Sequence, residues 1–198
     1  MKLYTLILGL LLSVSAPAQA IPTLLFDGSV AYSQTTGMLT VEAVLTGYQD
    51  VSSTVAIGTG SSFSFTTSLM SVTSGVFTTS GSFGTSSFSI FGADSTYLLG
   101  GDLTGLTMTG VHGFDFGSVT GGLTVSGGSL LGDFGIGADL LALQFNLSTV
   151  FDSGMFGSDF TAQLDGKVEA YAAVPEASTL LLMSFVILVG GFVARKRG

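Results

Sequence analysis

The chain has 198 residues, 13 acidic against five basic, with one histidine and no cysteine or tryptophan. That excludes a disulfide framework, a thiolate nucleophile and a cysteine–zinc centre. A net charge of −8 has the wrong sign for a nucleic-acid partner, whose phosphates require clustered lysine and arginine.

The N-terminus reads as an export signal. Met1-Lys2 is a small positive start, residues 3–14 are apolar, and Ala18-Gln19-Ala20 is a small-x-small cleavage site at Ala18 and Ala20, followed by Ile21-Pro22. Residues 1–20 are thus expected to be a signal peptide. Residues 21–173 then hold 12 of the acids and a single cation, Lys167, about −11 in all (1 − 12), which disfavours attachment to anionic lipid. This stretch is long enough for one domain with a real core.

Its expected structure is all-β. Residues 24–33 form an apolar run, Gln34-Thr35-Thr36-Gly37 reads as a hairpin turn, and Leu39, Val41, Ala43 and Leu45 alternate with Thr40, Glu42, Val44 and Thr46 as in a strand with one buried face. Phe63-Ser64-Phe65, Val76-Phe77, Phe83 and Phe88-Ser89-Ile90-Phe91 follow in short segments separated by Ser/Gly/Thr turns. Leu103 to Met108 and Leu123-Thr124-Val125 continue the pattern. Leu141, Leu143, Phe145 and Leu147 alternate with Ala142, Gln144 and Asn146, and residues 160–170 suggest a closing hairpin around Asp165-Gly166. Glycine spacings are too irregular for a solenoid. The expectation is one antiparallel β-sandwich or barrel-like sheet domain, flanked by an N-terminal signal helix and a C-terminal transmembrane helix.

The C-terminus is a compound signal: Val174-Pro175-Glu176-Ala177-Ser178-Thr179, a charge-free segment over residues 178–194, then Arg195-Lys196-Arg197. The segment has about the minimum length of a spanning helix, and the basic cluster is expected to hold the C-terminus in the cytoplasm. Residues 174–198 resemble the PEP-CTERM sorting signal of exopolysaccharide-producing Gram-negative bacteria. Pro175 and Glu176 match the motif's first two positions, Ser178-Thr179-Leu180 its continuation, and Arg195, Lys196 and Arg197 its basic end; Ala177 stands where a second proline is usual. The resemblance implies recognition by exosortase, a membrane-embedded cysteine peptidase, with the inner membrane as partner and an association with exopolysaccharide. Segments such as Leu24-Leu25-Phe26-Asp27-Gly28, Thr36-Gly37-Met38-Leu39 and Asp139-Leu140-Leu141-Ala142 also resemble a body type recurrent among PEP-CTERM proteins, one without assigned activity.

Catalytic signals are sparse. His112 is the sole histidine and no G-x-S-x-G elbow occurs, so a Ser-His-Asp arrangement has little to build on, and His112 is expected in the turn Val111-His112-Gly113. Asp94, Asp102, Asp115, Asp133, Asp139, Asp152, Asp159 and Asp165 mostly neighbour glycine or serine, as turn-forming aspartates do. None makes an EF-hand spacing. A glycosidase needs two acids across a cleft, and the phenylalanines stand at core-like strand positions. The sequon Asn146-Leu147-Ser148 falls in an expected strand.

These readings predict no catalytic or metal residue and no cofactor. They describe a non-enzymatic envelope or matrix protein, exported and held at the inner membrane with its C-terminus cytoplasmic, then processed to the cell surface or beyond. The alternative is a secreted carbohydrate- or calcium-dependent binding module or a carbohydrate-active enzyme, for which loop aspartates would have to converge on one cleft.

Overall fold

Two-residue alternation of buried and exposed side chains organises the chain from its first strand. The computed structural model describes residues 21–134 and 141–170. Nine strands run β1 (Thr23–Ser33), β2 (Met38–Gln49), β3 (Ser62–Ser74), β4 (Thr78–Phe83), β5 (Ser86–Phe91), β6 (Tyr97–Val111), β7 (Asp115–Gly127), β8 (Leu141–Val150) and β9 (Phe160–Ala170), with a 3-10 turn at Met155–Gly157 before β9. The opening hairpin matches its sequence reading: the turn spans residues 34–37, and Leu39, Val41, Ala43 and Leu45 are buried while Glu42, Val44 and Thr46 face out.

Every neighbouring pair is antiparallel, and the sheet closes on itself. β1 lies between β2 and the last strand, β9, in an unbroken ten-pair register from Thr23↔Glu169 to Tyr32↔Phe160. β4 and β5 share one place in the ring, both pairing β3 on one side and β6 on the other. Gly84 between them stays bonded to β3 through Gly84 N to Ser68 O (2.9 Å) and Thr67 Oγ1 to Gly84 O (2.7 Å). The nine strands thus fill eight positions of an antiparallel barrel. Of the two expected architectures the barrel is the one formed: the sheets of a sandwich keep open edges, whereas here the ladder runs through all the strands and returns from β3 to β2.

An eight-stranded barrel has an interior just wide enough for side chains to fill, and phenylalanine fills this one. Phe63 is the hub, with ring centroids 5.0 Å from Phe26, 5.5 Å from Phe65, 5.7 Å from Phe145 and 6.2 Å from Phe88. One end is plugged by the segment before β9: Phe156 packs on Tyr32 (5.3 Å) and Phe83 (5.9 Å), and Phe151 on Phe160 (5.9 Å). Phe151 fits because Gly110 and Gly117 are bare; a Cβ on either would come within 2.6 Å of its ring.

Residues 160–170 correct an expectation: they form one strand, not a hairpin around Asp165-Gly166. The inward phase of Ala162 and Leu164 passes through Gly166 to Val168 without interruption. Gly166 is required for close approach to β8, not for a turn, since a Cβ there would overlap the Gln144 carbonyl oxygen and lie 2.7 Å from the Phe145 Cα.

Gly166→Ala should therefore destabilise the domain by about 1–3 kcal/mol, the usual cost of overpacking. Gly132→Ala, where an added Cβ meets nothing within 4 Å, should be neutral or slightly stabilising. Urea unfolding of both variants checks the contrast.

Candidate functional site

With the lumen filled, chemistry is left to the outer wall and the barrel ends. Outward positions carry hydroxyls, amides and carboxylates: Glu42 on β2, Ser64 and Thr66 on β3, Thr120 on β7, Gln144, Asn146 and Ser148 on β8, Asp165 on β9. This is the inverse of a membrane barrel, which turns an apolar band outward. Among the described residues no helix is long and apolar enough to cross a membrane.

The most convergent polar cluster sits on this wall where β1, β9 and β8 meet. Asp27 and Asp165 are direct register partners, and Asn146, facing Asp165 on β8, donates from Nδ2 to Asp165 Oδ2 (3.3 Å). Thr46, Gln144 and Lys167 border the same shallow depression. Lys167 does not neutralise the pair, because its Nζ bonds Glu169 at 2.6 Å. Like charges directly opposite on a sheet are destabilising. The site remains a shallow, open patch, unlike the cleft a glycosidase requires, and among the described residues no three of His, Cys, Asp and Glu are grouped to hold a metal ion.

The other candidates are dispersed. Asp94 accepts from Thr96 N (3.0 Å) in its turn, a bond that holds its carboxyl below the usual range. Asp152 bonds Gly154 N (2.8 Å), Asp159 bonds Gln34 N (2.7 Å) and Asp115 accepts from the Ser148 hydroxyl (3.2 Å). Asp102 lies in β6, opposite Ser87 and Thr124. Asp139 lies outside the described residues.

His112 takes the expected place in the turn after β6. Its Nε2 is 2.8 Å from the hydroxyl of buried Thr79, its Nδ1 is 3.1 Å from Val76 O, and its backbone N donates to Phe77 O (2.9 Å). The two ring nitrogens therefore tie β4 and the β3–β4 turn to the β6–β7 turn. Neither faces a nucleophile paired with an acid, so the ring acts as a clamp.

At the opposite end Asp133 joins two capping loops, Oδ1 accepting from Ser52 N (3.1 Å) and from the Ser52 hydroxyl. That hydroxyl, with Ser53 adding to it, holds the Asp133 carboxyl below its ordinary value. Its Oδ2 is enclosed without a partner among the described residues, so the carboxylate is held from one side only.

The sorting residues Val174, Pro175, Glu176, Ala177, Ser178, Arg195, Lys196 and Arg197, and the cleavage residues Ala18 and Ala20, lie outside the described residues, as do the two flanking helices expected from sequence. Sequence reasoning passed over Asp27 as half of an acidic pair, because its partner is 138 positions away (165 − 27) and only the β1–β9 register joins them. The one available signal was that both aspartates sit in the outward phase of their strands. Thr79 as the partner of His112 carried no local signal. Comparison with family models, with characterised proteins and with solved structures finds no match.

A carboxylate whose pKa is lowered by folding stabilises the fold above its unfolded value and loses that contribution as pH falls through its folded value. The stability difference between the native chain and Asp133→Asn should therefore be fully present at neutral pH. It should shrink as pH falls below 3.8, the ordinary value for this group. Thermal melts of both proteins across that range check it.

Proposed function

We propose that this chain is an exported, non-catalytic envelope or extracellular-matrix protein, sorted through its PEP-CTERM-like tail and associated with exopolysaccharide. The observation that carries the reading is the order of signals in the sequence: an export signal over residues 1–20, an acidic β domain, then a short motif, an apolar segment and Arg195-Lys196-Arg197. Translocation begins at the first and halts at the last, leaving the domain outside and the basic end in the cytoplasm. An exosortase-type enzyme in the inner membrane is the sorting partner.

The barrel supports this reading in two ways. An exported domain without cysteine must be held by packing and sheet hydrogen bonds, and a closed barrel with an aromatic interior supplies both. Apart from the facing Asp27 and Asp165, its carboxylates are spread singly over turns and wall, which suits a soluble acidic surface amid hydrated polymer. A second reading, a calcium-dependent binding module, is favoured only by the facing pair Asp27 and Asp165 beside Asn146. Calcium titration followed by melting separates the two: a stabilisation lost in Asp27→Asn would support the module.

Intact-mass analysis of envelope and secreted fractions tests the sorting. A chain ending between Ala173 and Ala177 would demonstrate removal of the tail, and a full-length chain in the inner membrane would demonstrate permanent anchoring. Protease protection of the β domain on the same side as Arg197 would overturn the reading altogether.

A further inference from the structure

One stretch of backbone escapes the closure of the barrel. β2 pairs β3 only from Met38↔Ser68 to Ala43↔Phe63, and the last bond on that side is Leu69 N to Gly37 O (2.8 Å). β3 continues five residues further, Met70 to Ser74, as one arm of a β3–β4 hairpin. Its far side bonds β4, from Ser71↔Ser82 to Ser74↔Thr79. Its near side meets no strand among the described residues.

The other gap between β2 and β3 is partly covered. Beyond Ala43, Leu45 N is taken by the Ser61 hydroxyl (2.8 Å) and Leu45 O by Gly58 N (2.8 Å). Met70 to Ser74 has no such cover and stands as an open edge. It also lacks the usual protections of such an edge, a lysine, a proline or an inward charge. Its side chains are apolar or hydroxylic, Met70 is 71% exposed, and the adjoining turn presents Val76 (83%) and Phe77 (76%).

We infer that this edge pairs with the same edge of a second copy, antiparallel about a two-fold axis through Val72, joining two barrels by a short continuous sheet. Charge selects the occupant. The described residues carry one cation, Lys167, against eleven acids, so contacts between two copies generally oppose like charges. In the five-residue strip they do not: with Val72 on the axis, Met70 faces Ser74, Ser71 faces Thr73, and no charge is brought together. An isologous two-fold contact is also the commonest closed form of self-association.

The contact is small. Met70, Val72, Val76 and Phe77 present on the order of 500 Å² per copy, against roughly 800 Å² per partner in a standard interface. Association should therefore be weak and reversible, and it should strengthen as salt screens the acidic bodies. Binding of a cationic partner would show the opposite salt dependence.

The chain's lack of cysteine allows a direct test on the purified full-length protein. Facing residues of an antiparallel pair have Cα atoms about 4.5–5.5 Å apart, within disulfide range. Val72→Cys should cross-link to a dimer under mild oxidation, more so at raised salt, while Ser29→Cys on the exposed wall of β1 should give at least about tenfold less. Adding Ser71→Lys and Thr73→Lys to the Val72→Cys chain sets lysine against lysine across the axis. Both positions are exposed, so the domain should melt as before while the dimer yield falls about tenfold. No dimer from Val72→Cys, equal yield from Ser29→Cys, or a Val72→Cys adduct with another protein in envelope extracts would each overturn the inference.

Discussion

Pairing of the first strand with the last is the constraint on which the molecule depends. Once β1 lies against β9 for ten residues, every strand has a neighbour on each side over at least part of its length, and each inward side chain enters one shared interior. The filling is then nearly dictated. Phe63 reaches four other rings, and the remaining inward positions are mostly aliphatic or glycine, the glycines standing where a ring or a neighbouring backbone comes too close for a Cβ. The closing contacts join residues more than 120 positions apart, such as Tyr32 and Phe160, and contacts of that range are the costly ones to form.

How much of this is written locally follows from the range of each interaction. Alternation is a two-residue property, so β1, β2 and β8 are legible in the sequence, as is the opposition of faces at Thr66-Thr67 and Thr78-Thr79, where one residue of each pair is exposed and the other buried. Closure is a property of the whole ring, and the choice between sandwich and barrel stays open until the register of β1 against β9 is seen. Asp165-Gly166 marks the boundary between the two cases. As a dipeptide it has turn chemistry, yet the inward phase runs through it, and Gly166 answers to the backbone of β8. The expected membrane and sorting signals rest on composition and order, which need no tertiary partner, and they lie outside the described residues.

A filled interior also decides where function can reside. A barrel of this size could hold a small ligand only if rings were withdrawn, and here they interlock. The polar groups that sequence reading singled out are accordingly found in local service: His112 ties two turns through Thr79 and Val76, Asp133 pins two loops, and Asp94 and Asp152 close their own turns. The lone ion pair among the described residues, Lys167 with Glu169, is partly exposed and contributes little. Surplus negative charge is the dominant electrostatic feature of the wall, and it favours hydration over attachment.

That surplus gives the open edge of β3 its meaning. An uncharged strip on an acidic body is the place where two copies repel least, and it is also where backbone donors and acceptors lack partners. Electrostatics and hydrogen bonding are independent demands, and they select the same five residues. The opening beside β2 shows how such an edge begins to be covered, since one serine hydroxyl and one glycine N–H satisfy Leu45. The arm of β3 has no such cover, carries no charge and is flanked by Val76 and Phe77, and these are the properties that govern pairing.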